Sequence, residues 1–245
     1  MIPKQLPVGE TALLFADRGA SAQLGENTIE SFAVARRLGA TAIESDLHSS
    51  ADGFAVLRRS PRTAGMRRRR VAEVSRSQLG DSVVTLEEFY EQVGDDLDIL
   101  LHVHDADAVE AALHSATRFR ALDRLWLASA DLEALAQWRE RSELVRLVHE
   151  IGPETFAGGA ERHAAALRSQ RVDATMADRS LWNGGRVALY HRFTRRCFAQ
   201  NAVHERMAVT LFHIGLDGVS SAHPDRLVDA HREVTRPDAP PVRED

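Results

Sequence analysis

Two carboxylates, Glu44 and Asp46, lie two positions apart within an apolar run from Ala40 to Leu47. Side chains alternate between the two faces of an extended strand, so residues two apart point the same way. Two carboxylates on one face can share a divalent cation. The Asp-Gly pair at 52–53 then predicts a turn into a second short strand. The stretch from Ala40 to Arg59 therefore carries the clearest candidate chemistry, which is metal binding.

Other groups that could bind anions, ligate metals or transfer protons follow other apolar runs. Asp17 and Arg18 come shortly after a predicted strand that begins at Thr11. His102 and His104 lie two positions apart, so they share one face at the end of another predicted strand. Both the carboxylate and the imidazole are common metal ligands and proton carriers in proteins.

Apolar runs typical of strands alternate with stretches of helical periodicity along the whole chain. The predicted strands cover residues 11–15, 40–47, 99–103, 125–128, 145–148, 172–176, 197–199 and 218–220. Eight strands separated by helices favour an α/β fold of the (β/α)8 barrel type over an open doubly wound sheet.

Capping signals mark the starts of two of the predicted helices. Asn27 with Glu30, and Thr85 with Glu88, both match the capping-box pattern, in which each side chain bonds a free backbone N–H at the helix start. Gly39 predicts the end of the first of these helices.

The composition of the 245 residues, 44% hydrophobic and 27% charged, is that of an ordinary globular protein. A barrel of this length is ordinarily one domain, so we predict a single domain over residues 1–235. The proline-rich and charged end, residues 236–245, predicts a disordered tail. A net charge of −5 gives no general affinity for nucleic acid.

Two features of the chain bear on its cellular location. The N-terminal residues lack the hydrophobic core of a signal peptide, and no run approaches the roughly 18 apolar residues of a membrane-spanning helix. The single cysteine, Cys197, excludes an internal disulfide, which fits a reducing compartment. We therefore expect a cytoplasmic protein with no integral membrane segment.

Five motifs occur in order along nearly the whole chain: RG at 18–19, GENTIESF at 25–32, GATAIESDLHSSADGFAV at 39–56, VTLEEF at 84–89 and GLDGVSSAHPDRL at 215–227. This order resembles the glycerophosphodiester phosphodiesterase family. The resemblance implies a (β/α)8 barrel whose site lies at the C-terminal ends of its strands. There a divalent cation and two histidines would cleave a phosphodiester.

Four residues match the family pattern at the site. Arg18 matches the phosphate-binding arginine, Asn27 matches the asparagine of the second motif, and Glu44 and Asp46 match the first two metal ligands. The resemblance implies one divalent cation, Mg²⁺, Ca²⁺, Mn²⁺ or Zn²⁺, if a cation binds at all. It also implies a small phosphorylated ligand, such as a glycerophosphodiester or glycerol phosphate.

The residues at the remaining site positions depart from the family pattern. The two catalytic histidines fall on Asp17 and Arg59, the third metal carboxylate falls on His102, and a lysine falls on His104. Arg59 cannot transfer a proton, because an arginine side chain stays protonated in proteins. Asp17 could replace one base, or it could pair with Arg18, Arg59 or another local arginine.

Two interpretations of the metal site stay open at this point. Glu44, Asp46 and His102 form a mixed oxygen and nitrogen set that suits zinc or manganese better than calcium. Alternatively, Arg59 occupies the cation's place by pairing with the two carboxylates.

Three functional hypotheses follow. The leading one is a family member that keeps the barrel, lacks the standard reaction, and either binds a phosphorylated ligand through Arg18 and an arginine-rich loop or acts as an interaction module. That loop contains Arg58, Arg59, Arg62 and the run from Arg67 to Arg70. The second is an active metal-dependent phosphodiesterase in which His104, His48 or Asp17 takes over proton transfer. The third is a structural paralogue whose surface carries its role.

Overall fold

The computed structural model describes residues 12–63 and 68–236, in which strands and helices alternate. The strands are β1 Leu13–Asp17, β2 Ala42–Ser49, β3 Ala55–Leu57, β4 Asp98–Val103, β5 Leu125–Ser129, β6 Arg146–Glu150, β7 Ala174–Asp178, β8 Arg196–Gln200 and β9 Gly218–Ser221. All except β3 pair in parallel in chain order, and β1 pairs with both β2 and β9. The sheet is therefore a closed eight-stranded barrel, which confirms the predicted (β/α)8 fold.

Helices surround this barrel in the described residues. They are α1 Ser21–Leu24, α2 Ile29–Leu38, α3 Arg76–Leu79, α4 Leu86–Gln92, α5 Ala108–Arg118, α6 Leu132–Arg141, α7 Pro153–Ala157, α8 Ala160–Ser169, α9 Gly184–Arg192, α10 Glu205–His213 and α11 Pro224–Thr235. Between β6 and β7 the chain forms two helices, α7 and α8, which are separated at Gly159, a residue with a left-handed φ of 110°. Within the described ranges, no helix is long and apolar enough to cross a membrane.

Apolar side chains form two layers, one inside the barrel and one between its strands and the helices. Three fully buried rings meet edge to face inside the barrel, with centroids 5.1 Å apart for Phe15 and Phe198 and 5.2 Å apart for Trp126 and Phe198. This packing fills the barrel interior, so a ligand site has to lie at an end of the barrel rather than along its axis.

The alternation of β2 places its carboxylates on the inner face, as predicted. Ile43 and Leu47 belong to the outer layer against the helices, and Glu44 and Asp46 alternate with them. The predicted turn and second short strand are also confirmed, since β3 pairs antiparallel with β2 and Gly53 in the turn has a φ of 82°.

One of the two capping predictions was wrong by a residue. Thr28 caps α2, accepting from the Ser31 N–H at 3.0 Å, while Ser31 Oγ accepts from the Thr28 N–H at 3.2 Å. Asn27 instead has a left-handed backbone, with φ 56°, which asparagine tolerates. Its side-chain oxygen accepts a hydrogen bond from Ser45 Oγ at 2.6 Å, so it ties the start of α2 to β2.

The other local predictions are confirmed where they can be compared. Thr85 and Glu88 form the predicted capping box at the start of α4. Gly39 ends α2 with a left-handed φ of 102°. Thr11, residue 67 of the arginine-rich loop and residues 237–245 of the predicted tail lie outside the described residues. The single domain over residues 1–235 stays a prediction.

Candidate functional site

The C-terminal ends of the barrel strands bring the predicted site residues to one mouth. Asp17 ends β1 and lies in register with Glu44 of β2, while Asp46 of β2 lies in register with His102 of β4. Glu150, the last residue of β6, also reaches this mouth. The site is therefore built from residues of several strands, as is typical of barrel enzymes.

His102 joins two carboxylates at the mouth. Its Nε2 lies 2.6 Å from Glu44 Oε1, and its Nδ1 is hydrogen-bonded to Glu150 Oε1. Burial alone would lower the pKa of His102, but the hydrogen bonds and charges of Glu150 and Glu44 outweigh it and raise that pKa well above its usual value. In this arrangement the protonated ring is favoured at neutral pH, and both of its nitrogens are engaged by glutamates.

The two oxygens of Glu44 differ in their surroundings. Oε1 accepts from His102 and from Gln200 Nε2 at 3.2 Å. Burial would raise the pKa of Glu44, but the hydrogen bond and charge of His102 lower it overall. Oε2 is buried and accepts no hydrogen bond of normal geometry from the described residues, although the nearby Ser220 hydroxyl also lowers the pKa of Glu44.

Asp46 is held by one group on each oxygen. Oδ2 accepts from Arg18 Nε at 2.7 Å, and Oδ1 lies 2.8 Å from His104 Nε2. Burial would raise the pKa of Asp46, but these contacts with His104 and Arg18 lower it to about 2. Asp46 is therefore an ion-paired carboxylate at neutral pH.

The backbone around Arg18 places its guanidinium over the mouth. Arg18 has a left-handed φ of 55°, and its N–H donates to Glu44 O at 2.7 Å. Gly19 follows with φ 86°, and a Cβ at that position would lie 2.5 Å from Ser31 Oγ. The glycine of the arginine-glycine motif is thus required by the close approach of this turn to α2.

Asp17 pairs with Arg18 rather than with Arg59. Arg18 Nη1 donates to Asp17 Oδ1 at 2.9 Å and to Oδ2 at 3.2 Å. Burial and the nearby charge of Glu44 nevertheless raise the pKa of Asp17 to about 7. Its carboxyl group can therefore gain or lose a proton near neutral pH.

Arg59 lies away from the predicted metal ligands. Its Nη1 donates to Glu26 Oε1 at 2.9 Å, and the Arg59 side chain is 66% exposed. The interpretation that Arg59 occupies the cation's place was wrong, because the turn after β3 directs it to the surface pair with Glu26. Arg18, His102 and His104 pair with the carboxylates instead.

A recess of about 540 Å³ opens beside His104. The His48 and His104 rings stack there with centroids 5.2 Å apart, and the buried His48 Nε2 has no hydrogen-bond partner among the described residues. Charged side chains of both signs line the rest of the recess: Arg62, Arg70, Asp105 and Asp107. The recess gives a polar ligand room next to the mouth.

The three predicted metal ligands do not form a compact set. Glu44, Asp46 and His102 do not bring three ligand atoms within 4.8 Å of one another in the described ranges. The trio that meets this condition there, His191, Cys197 and Asp217, lies at the opposite end of the barrel, where β8 begins and β9 is about to begin. His102 is hydrogen-bonded to two glutamates, and the mouth as arranged does not bring Glu44, Asp46 and His102 together as one ligand set.

The family model for the glycerophosphoryl diester phosphodiesterase family matches residues 18–226. The chain belongs to this family. That span begins at Arg18 and includes strands β2 to β9 and the mouth residues described above, apart from Asp17. No curated protein matches the chain significantly.

Solved structures of the family share the fold at low sequence identity. A glycerophosphodiester phosphodiesterase from Thermotoga maritima is 21% identical, with a TM-score of 0.77 over 90% of this chain and 98% of that one. An Oleispira antarctica phosphodiesterase, solved in complex with the product sn-glycerol-3-phosphate, is 19% identical, with a TM-score of 0.77 over 90% of this chain and 96% of that one. One from Agrobacterium tumefaciens is 14% identical, with a TM-score of 0.75 over 91% of this chain and 100% of that one.

Sequence reasoning missed two residues of the mouth, Glu150 and Gln200. Both are the last residue of a barrel strand, β6 and β8, and both contact the group formed by Glu44 and His102. The available signal was a polar residue directly after an apolar run, the same signal that singled out Asp17. The predicted strands ended at residues 148 and 199, before Glu150 and Gln200, so this signal did not point to either residue.

Proposed function

We propose that this family member binds a small phosphorylated ligand at the barrel mouth and has little of the family's phosphodiesterase activity. The observation that carries the proposal is the position of His102, with one ring nitrogen on Glu44 and the other on Glu150. A protonated imidazole there supplies the positive charge that a divalent cation would otherwise provide to these carboxylates.

The second carboxylate supports the same proposal. Asp46 is neutralised by Arg18 on one oxygen and contacts His104 on the other. A cation would have to displace these partners, and it would meet the positive charges of Arg18 and His102 at close range. The charges of the mouth are thus balanced by the protein's own side chains.

The proton carriers of the family reaction are also replaced. At one of the two positions the chain has Arg59, an exposed arginine that cannot transfer a proton. Loss of general acid or base help costs about 10² to 10⁴ in rate per group. With no proton carrier at the Arg59 position, and only Asp17 to serve at the other, the chain is expected to turn over phosphodiesters slowly.

A phosphate group would find donors at the same mouth. Arg18 uses Nε and Nη1 for Asp46 and Asp17, and Nη2 makes no hydrogen bond with the described residues. The recess beside His104 adds Arg62 and Arg70 on one wall. Since the Oleispira antarctica phosphodiesterase was solved with sn-glycerol-3-phosphate, a ligand of that size and charge is the natural first candidate.

The single cysteine further supports our expectation of a cytoplasmic location.

The proposal is tested by turnover and binding measurements on the same protein. Purified chain is screened with Mg²⁺, Ca²⁺, Mn²⁺ and Zn²⁺ against glycerophosphodiesters and an aryl phosphodiester, with the Glu44→Ala, Asp46→Ala double variant as control. We expect no turnover above that of the control, and thermal stabilisation by sn-glycerol-3-phosphate that is reduced in Arg18→Lys. Metal-dependent turnover that the control abolishes would overturn the proposal.

A second candidate function is an active metal-dependent phosphodiesterase. Two observations favour it: the partnerless buried oxygen of Glu44, and the pKa of about 7 that suits Asp17 to proton transfer. In this case Glu44, Asp46 and His102 would hold the cation once His102 lost its proton. Asp17→Asn then separates the candidates, because it removes turnover from an Asp17-dependent enzyme and leaves glycerol phosphate binding intact in a binding protein.

A further inference from the structure

A compact set of three possible metal ligands lies far from the mouth, at the N-terminal end of the barrel. His191 is near the end of α9, Cys197 is the second residue of β8, and Asp217 directly precedes β9. One ligand atom from each residue lies within 4.8 Å of the other two. Both Cys197 and Asp217 have no exposed surface, while the His191 side chain is 20% exposed.

Only one of the two carboxylate oxygens of Asp217 has a hydrogen-bond partner among these neighbours. Its Oδ2 accepts from the Cys197 N–H at 2.7 Å and lies 2.8 Å from His191 Nε2. Its Oδ1 is buried and has no hydrogen-bond partner among the described residues. A buried carboxylate oxygen without a donor is costly, and such an atom in a native fold commonly marks an ordered water or an ion.

We propose that His191, Cys197 and Asp217 bind a borderline-soft divalent metal ion of the Zn²⁺ class. Thiolate, imidazole and carboxylate together select zinc or cobalt over magnesium or calcium, which prefer all-oxygen sites. The ion would occupy the side of Asp217 that has no donor. This site is separate from the Glu44 mouth and does not depend on the function proposed for it.

Metal binding would change the protonation of Cys197 and His191. On metal binding, the Cys197 S–H bond breaks and its proton goes to solvent, because a coordinated thiol is deprotonated. His191 would bind through Nε2, so the proton that Nε2 donates to Asp217 Oδ2 would leave this nitrogen for solvent, and the neutral imidazole would carry a proton taken up from solvent on Nδ1. The fourth ligand is a water at the exposed edge of the ring, since the trio provides three.

Metal binding would link one helix to two strands of the barrel. The three ligands come from α9, β8 and the segment that leads into β9, so the ion would hold α9 against the N-terminal end of the barrel. The role is structural rather than catalytic, because catalytic groups of a barrel lie at the opposite end of its strands.

Cobalt spectroscopy tests this inference directly, since Cys197 is the single cysteine of the chain. Reduced, folded protein is titrated with Co²⁺, and we expect a thiolate-to-cobalt charge-transfer band that saturates at one equivalent. The band should persist in the Glu44→Ala, Asp46→Ala double variant, which alters the mouth alone, and should vanish in Cys197→Ser. If the wild-type protein shows no such charge-transfer band at excess Co²⁺, the inference is overturned. This result does not depend on whether the variants fold.

A second measurement covers the case in which Cys197→Ser fails to fold. Zn²⁺ should raise the midpoint of thermal unfolding of the wild-type protein by several degrees and should leave that of His191→Ala unchanged. His191 is partly exposed, so its replacement is expected to be tolerated. An equal shift in both proteins would place the bound zinc elsewhere and would contradict the assignment of this trio.

Discussion

The imidazole of His102 lies 2.6 Å from the carboxylate of Glu44, at the position where the motif resemblance implies a third metal-binding carboxylate. The exchange of an acid for a base at this position reverses the electrostatics of the mouth. Three carboxylates close together repel one another and require a cation, whereas a protonated His102 between Glu44 and Glu150 attracts both.

This relationship predicts the behaviour of His102→Glu. The substitution removes the positive charge between two glutamates and adds a third carboxylate, so the free energy of unfolding should fall by about 3 kcal/mol without added metal. Mn²⁺ or Mg²⁺ should restore much of that loss, because the variant regains the family's carboxylate set. Urea unfolding with and without the cation measures both effects, and the wild-type protein should respond weakly. A variant that no cation stabilises would contradict the electrostatic explanation.

Asp17 should make the stability of the protein depend on pH. Burial and the charge of Glu44 raise the pKa of Asp17 from 3.8 to about 7 in the folded state. The folded state therefore holds this proton more tightly than the unfolded state does. Its contribution to stability is fully present below about pH 4 and is lost as the pH rises to about 7.

Asp17→Asn removes this titration and isolates its effect. The unfolding free energy of the wild type relative to Asp17→Asn should fall between about pH 4 and pH 7 and then level off. Urea unfolding of both proteins over this pH range gives the difference. A difference that stays constant with pH would show that Asp17 titrates at its ordinary value.

The role of Arg18 can be separated from that of a simple positive charge. Arg18→Lys keeps the charge but loses the planar fork that bonds Asp46 and Asp17 and would meet a phosphate. We expect affinity for sn-glycerol-3-phosphate, measured by calorimetry, to weaken about tenfold, or about 1.4 kcal/mol.

Arg59→Lys is the matched control for that substitution. Arg59 is exposed and pairs with Glu26 at the surface, so the change should alter neither binding nor stability by more than about 0.5 kcal/mol. Equal losses of affinity in the two variants would mean that the phosphate binds nearer to Arg59 than we propose.

Restoring the family's residues in steps should restore activity only when the cation is restored as well. Asp17→His with Arg59→His returns both proton carriers but leaves His102 on Glu44, so turnover of an aryl phosphodiester should stay near the wild-type level. Adding His102→Glu should raise the metal-dependent rate by about 10² or more, since each proton carrier contributes about 10² to 10⁴. The same gain without His102→Glu would show that His102 does not exclude the cation.

Helix starts such as that of α4 could be predicted from the sequence because they depend on interactions between residues close together in the chain. Thr85 and Glu88 are three residues apart, so their capping box depends on one helical turn alone. The α2 cap was wrong by one residue because two polar residues, Asn27 and Thr28, compete there. The contact of Asn27 with Ser45, which is distant in sequence, decided the outcome.

The barrel, its family and the common face of Glu44 and Asp46 follow from local patterns, because strand alternation and motif order are properties of neighbouring residues. Which cation each carboxylate meets follows instead from contacts between distant parts of the chain. Closure of the barrel brings His102 to Glu44 and Glu150, residues 58 and 48 positions away from it, while the turn after β3 carries Arg59 out to Glu26. Partner choice among charged groups depends on distance in space, and that distance is set when the strands close around the core.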